Sequence, residues 1–169
     1  MTPPILDAIH RRRSIREFTD QPVEKNKLHE IIKAGTWAPS GLNNQPWRFA
    51  TIADTAVKND IAGLTRYSHI IKAAFALIAV FIDKKAMYHE VKDHQAMGAC
   101  IQNMLLAAEA LDLGAVWLGE ILKNAQQVNA VLEIGDQYDL MAVIALGYPT
   151  HHNQKSQRKD IKETIIKEI

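Results

Sequence analysis

The chain has 169 residues, 47% hydrophobic and 23% charged, proportions that suit one globular domain with a substantial core and exclude disorder, collagen and a disulfide scaffold. Twenty Lys and Arg against nineteen Asp and Glu give a formal net charge of +1, so no global field favours a nucleic-acid or anionic-membrane partner. The single cysteine, Cys100, can form neither an internal disulfide nor a Cys-based zinc site.

Thr2 and Pro3 suit an N-cap and a first helical turn, and Ile5, Leu6 and Ile9 then mark one helical face. A second helix is expected over 24–37, with Leu28, Ile31, Ile32 and Gly35 on one stripe. Pro39, Gly41 and Pro46 enforce an irregular loop before a short strand at 48–52. Asp54 is placed to cap a helix reaching Leu64. Residues 74–82 are apolar at every position, as in a strand buried on both faces. The surrounding apolar run, 73–82, is half of the ~20 residues that a membrane-spanning helix needs. A long helix is expected over 89–113, nearly apolar all round from Ala96 onward, and so buried between layers or at a subunit interface. Gly114 ends it, a buried strand follows at 115–118, Asn124 caps a helix to Leu132, and 140–146 forms another strand. This order predicts an α+β domain, a three-layer α/β/α sandwich spanning 1–169 with a polar tail at 151–169. The N-terminus lacks the long apolar run of a signal peptide, and the expectation is a cytoplasmic protein.

The nucleotide and hydrolase motifs G-x-G, G-x-x-x-x-G-K-[ST] and G-x-S-x-G are absent. His89 and His94 are five residues apart, about 140° around a helix, so they do not form an i,i+4 metal pair; a solvated first helical turn is the simpler reading. Three stretches carry more. Arg11, Arg12, Arg13 and Arg16 place four guanidiniums within six residues, with Ser14 among them, a group able to grip a phosphate; alone it also reads as a solvated basic turn. If the segment is extended, Arg12, Ser14 and Arg16 share one side. The loop from Pro39 through Ser40, Asn43 and Gln45 to Trp47 offers many donors and acceptors on a stiff backbone, suited to a ribityl chain or to ordinary turn chemistry. Lys155, Arg158 and Lys159 form a second basic group in the tail.

The ordered set Arg12-Arg13-Ser14-Ile15-Arg16, Ala38-Pro39-Ser40 through Asn43 to Gln45-Pro46-Trp47, Gly114-Ala115-Val116-Trp117-Leu118-Gly119, Ala145-Leu146-Gly147-Tyr148-Pro149 and Arg158-Lys159 resembles the FMN-dependent nitroreductase family. The resemblance covers nearly the whole chain. It implies a homodimer with a mixed central sheet and FMN at the subunit interface. It implies electron transfer by a ping-pong scheme from NADH or NADPH to a nitro-compound, quinone or related electrophile, without a metal or a catalytic dyad. A low-turnover flavin-binding or sensing protein is the alternative on the same fold. Carried over, the family pattern gives Arg12, Arg13, Ser14 and Arg158 to the phosphate end and Arg16 to the pyrimidine edge. Pro39, Ser40 and Asn43 would meet the partner's FMN, with Gln45 of the same loop in the cofactor set, while Leu118, Gly119 and Glu120 would lie by the ring. Where many members carry a flavin-contacting Asn or Lys, this chain has Tyr67-Ser68-His69. No nucleic-acid or membrane partner is expected.

Overall fold

The computed structural model describes residues 3–169. Thr2, the expected N-cap, lies outside them. Helix α1 spans Pro4–Arg11 with Pro3 as its N-cap. Helix α2 (Lys25–Thr36) buries Leu28, Ile31 and Gly35, the expected stripe, with Ile32 half-buried beside them. Strand β1 (Trp47–Ile52) follows the Pro-rich loop. Asp54 accepts the Val57 N–H at 3.0 Å and caps α3 (Thr55–Ala62) as its position suggested. The short helix α4 (Ser68–Ala73) was not legible in the sequence. Strand β2 (Ala76–Asp83) is buried at every position. Next come the 21-residue helix α5 (Glu90–Ala110), strand β3 (Gly114–Leu118), helix α6 (Ala125–Val131), strand β4 (Tyr138–Gly147) and a one-turn helix α7 (Ile161–Thr164) in the tail.

The sheet runs β1-β2-β4-β3 and all three pairings are antiparallel. The expected mixed character reduces, among the described residues, to one parallel bridge between Ser14 and Ala115 outside the strands. Side-chain alternation divides β2 between two cores. Ala76, Ile78, Val80 and Ile82 face α2 and α5, whereas Leu77, Ala79 and Phe81 face α3, α4 and α6. The β2–β4 register steps from Val80–Ala142 to Phe81–Leu140, leaving Met141 as the extra residue of a bulge. These layers are the expected α/β/α sandwich.

Two details depart from the sequence reading. Asn124 sits at the start of α6 but its side chain donates to the Leu64 carbonyl at 2.7 Å instead of capping the helix. Strand β3 is not wholly buried: it is an edge strand, and Trp117 is 42% exposed. The expected face of α1 is uncovered within the chain, with Ile5 74% exposed and Leu6 and Ile9 also exposed.

Close approach fixes the segment after α1. Ile15 is buried, its N–H donates to the Ala115 carbonyl at 3.0 Å, and its Cγ2 stands only 2.6 Å from where a Cβ on Gly114 would be. Only a glycine at 114 lets residues 14–16 lie this tightly along β3.

Candidate functional site

The chain leaves α1 at Arg12 and runs extended along the outer edge of β3. The tail returns to the same place because Phe18 bridges Pro149, the Thr150 N–H donates to the Glu17 carbonyl, and His151 lies 3.4 Å from the Glu17 carboxylate. Arg12, Arg13, Ser14 and Arg16 therefore line one cavity of about 400 Å³ together with Gln154, Lys155, Ser156 and Arg158. The two basic groups of the sequence, more than 130 residues apart, meet there.

Arg12, Arg13, Arg16 and Arg158 form no ion pair among the described residues; the nearby Arg11 takes Asp7 and Glu109. Burial depresses the Arg12 pKa first, and the charges of Arg158 and Arg13 add to that, against a smaller opposing pull from Glu109. An anion in the cavity would relieve this repulsion and gain charge-assisted hydrogen bonds. Arg13 plays a different part from its neighbours. Its Nη1 donates to the carbonyls of His10, Arg11 and Arg12 at 2.6, 3.1 and 2.9 Å, satisfying the end of α1. Its Nε is buried with no partner among the described residues.

A second cavity, about 200 Å³, is walled by Arg16, Tyr67, Ile70 and the run Val116, Trp117, Leu118, Gly119 and Glu120. Arg16 belongs to both cavities, so a cationic pocket continues into one bounded by the end of β3. Beyond the Ala115 bridge, no strand among the described residues covers the outer edge of β3. Of the three residues Tyr67-Ser68-His69, Tyr67 forms the wall here, whereas His69 is exposed.

Glu120 has its side chain committed elsewhere. Its carboxylate pairs with Lys123, accepts the Thr65 hydroxyl at 2.6 Å and accepts the Arg66 N–H at 3.3 Å. Lys123 first and Thr65 next hold its pKa down at about 2; burial opposes them, and the Arg66 N–H adds a lesser downward pull. Because the folded value lies below the ordinary 4.5, this anchor stabilises the fold above about pH 4.5 and is lost as the pH falls toward 2. Acid unfolding monitored by circular dichroism is expected to show it: across that window Glu120→Gln loses less stability than the parent, and identical acid profiles would remove the anchor.

The loop after α2 builds a third cavity, of about 250 Å³, from Pro39, Ser40 and Gly41 with Lys92, Gln95, Ala96 and Ala99 of α5. It shares no wall residue with the other two. The Ser40 hydroxyl accepts the Gln45 N–H at 3.1 Å, and the Gln45 amide donates to the Asn43 carbonyl at 3.3 Å, so both side chains partly serve the loop. The Asn43 amide makes no hydrogen bond among the described residues. Leu42 and Gln45 have φ of 52° and 47°, left-handed values that cost about 1–2 kcal/mol each, and Asn43, at 54°, shares that region, which asparagine tolerates better. Such a loop must be held.

The holding residue is Asp93, which lies between His89 and His94 on the helical turn expected to be solvated. It is fully buried. It accepts the Asn44 amide at 2.8 Å and the backbone N–H groups of Tyr88 and His89 at 2.9 and 2.8 Å. Burial pushes its pKa up, but those three donors together outweigh burial and keep it below the ordinary range. Asp93 thus ties the loop to the start of α5. Among the described residues no group of three His, Cys, Asp or Glu is placed to hold a metal, and no helix is long and apolar enough to cross a membrane.

The model of the nitroreductase family matches residues 9–68 and 62–148. A crystal structure from Desulfovibrio desulfuricans, provisionally described as a nitroreductase and solved in complex with FMN, is 48% identical, covers 100% of this chain and 99% of its own, and superposes with a TM-score of 0.95. A curated relative from Archaeoglobus fulgidus, with the provisional name NADH dehydrogenase/NAD(P)H nitroreductase, is 32% identical over 85% of this chain and 84% of its own length. The FMN reductase [NAD(P)H] of Bacillus subtilis is 27% identical over 91% of this chain and 69% of its own length.

Proposed function

The chain belongs to the nitroreductase family, and from that membership and the geometry of its cavities we propose that it is an FMN-dependent oxidoreductase of the cytoplasm, taking electrons from NADH or NADPH and passing them to a nitro-compound, quinone or related electrophile. The observation that carries the reading is Arg16, a wall residue of both the cationic cavity and the cavity at the end of β3. A cofactor with a dianionic phosphate at one end and a flat ring at the other fits that continuity. Arg12, Ser14 and Arg158, none of them in an ion pair among the described residues, would hold the phosphate. Arg13 would act from behind, by fixing the turn that presents them.

When bound, FMN supplies two-electron redox chemistry, accepting reducing equivalents from the nucleotide and returning them to an acceptor. Arg16 would keep a fixed positive charge beside the edge on which negative charge develops. Leu118 and Gly119 would border the ring through the end of β3, while the Glu120 side chain stays tied to Lys123 and Thr65.

The active unit would be a homodimer. In support, the Pro39–Ser40 cavity is separate from the other two, so Pro39, Ser40, Asn43 and Gln45 would serve the cofactor of a second chain. Helix α1 also leaves Ile5, Leu6 and Ile9 exposed, while Ala99, Leu106 and Ala107 of α5 are only half-buried. Apolar faces of this kind suit an obligate interface.

Anaerobic mixing tests the function. The FMN-loaded protein, sedimenting at twice the chain mass, should be bleached by NADH or NADPH and recoloured by a quinone or nitroarene, each half-reaction proceeding without the other reactant. Stable colour in excess of both nucleotides would leave a flavin-binding protein without turnover.

A further inference from the structure

Arg66 has no place in the roles above, and its setting is unusual. Its guanidinium lies 5.0 Å from the centroid of the Tyr67 ring and donates to the Tyr67 hydroxyl at 3.1 Å. Tyr67 is itself a wall of the cavity at the end of β3, which Arg16 and Gly119 also line. The turn that carries both residues is fixed from beneath: Thr65 is buried, and Glu120 accepts its hydroxyl and the Arg66 N–H. Glu120 is neutralised by Lys123, and Arg66 has no ion pair among the described residues. An exposed arginine usually samples many rotamers, at considerable entropic cost when one is fixed. Here a stack and a hydrogen bond hold the planar fork, leaving most of its N–H donors free.

We infer that Arg66 is the anion-docking residue of the reactant side, recognising a carboxylate or phosphate that an incoming reactant carries away from its reacting ring. This rests on the functional reading above and assigns the site a class of substrate. An acceptor with an acidic substituent, or the phosphate-bearing part of the nucleotide, carries that group. The guanidinium meets it with charge-assisted hydrogen bonds, and the exposed setting makes the interaction sensitive to salt.

Binding to the FMN-loaded protein tests this without turnover. Benzoate and benzamide, alike in shape and different in charge, probe the acceptor source, while NADP⁺ and NAD⁺ probe the nucleotide source by calorimetric titration. In Arg66→Ala the affinity for benzoate, for NADP⁺ or for both is expected to fall about tenfold, within the range for a charge-assisted hydrogen bond, with benzamide changing less than about twofold. Arg66→Lys should restore part of the lost affinity, because it keeps the charge and loses the fork. A loss confined to benzoate assigns the anion to the acceptor, one confined to NADP⁺ assigns it to the extra phosphate of that nucleotide, and equal losses for NADP⁺ and NAD⁺ assign it to the diphosphate that both carry. Equal losses for benzoate and benzamide, no change for any anionic probe, or no detectable binding of all four overturns the inference. Failure of the functional reading would look different: a flavin that neither nucleotide bleaches, whatever residue stands at 66.

Discussion

Arg12→Ala is expected to weaken FMN binding about ten- to a hundredfold, the equivalent of the roughly 1.5–3 kcal/mol of a hydrogen bond to a charged group. The apo-protein should melt no lower than the parent. Arg12 is already disfavoured there by burial and by the charges of Arg158 and Arg13, so its removal takes away repulsion rather than support. Arg12→Lys should fall between the two, keeping a charge but losing the planar fork that suits phosphate. Flavin fluorescence quenching measures the affinity and calorimetry the melting. Unchanged FMN affinity in Arg12→Ala would remove this residue from the phosphate site.

Asp93→Ala is expected to cost about 3–5 kcal/mol of folding stability in urea. The reason is what it leaves behind: the N–H groups of Tyr88 and His89 lose the acceptor that a fully buried carboxylate gave them, and the Asn44 amide keeps only the Ala86 carbonyl. The substitution also frees the loop that holds Leu42, Asn43 and Gln45 in left-handed conformations, so FMN binding should weaken along with stability. Asp93→Asn retains one acceptor oxygen and is expected to lose less. A stability change below about 1 kcal/mol for Asp93→Ala would mean that water replaces the carboxylate and that the loop is held by other means.

The contrast between Arg12 and Asp93 shows where sequence pattern carries information. Leu28, Ile31 and Gly35 recur at helical spacing and do lie on the buried stripe of α2. The unbroken apolar run of β2 signals burial on both faces and ends up in the middle of the sheet. Arg12, Arg16 and Arg158 could be picked out because clustered guanidiniums are costly without an anion, and they do gather at one cavity. Asp93 gave no such signal. Its partners come from residues 44, 88 and 89, and a carboxylate near a helix start ordinarily reads as solvent-facing. Helix α4 was hidden for a local reason: Ile70 and Ile71 lie close before the apolar run of β2, and six residues give too few turns for periodicity to separate them. The commitment of Arg13 to the carbonyls of α1 depends on the sharp exit at Arg12, which its place among arginines conceals. Tyr67 became visible as a wall residue only once β3 and the 65–67 turn were side by side.

The cluster around Arg12, Ser14, Arg16 and Arg158 is proposed to receive the phosphate of FMN. Riboflavin has the same ring and ribityl chain and lacks only that phosphate, so titrating the apo-protein with each compound measures the cluster alone. FMN is expected to bind at least about a hundredfold more tightly than riboflavin, from two or more charge-assisted contacts, and the gap is expected to narrow as salt is raised. Equal affinity for the two flavins at low salt would contradict it.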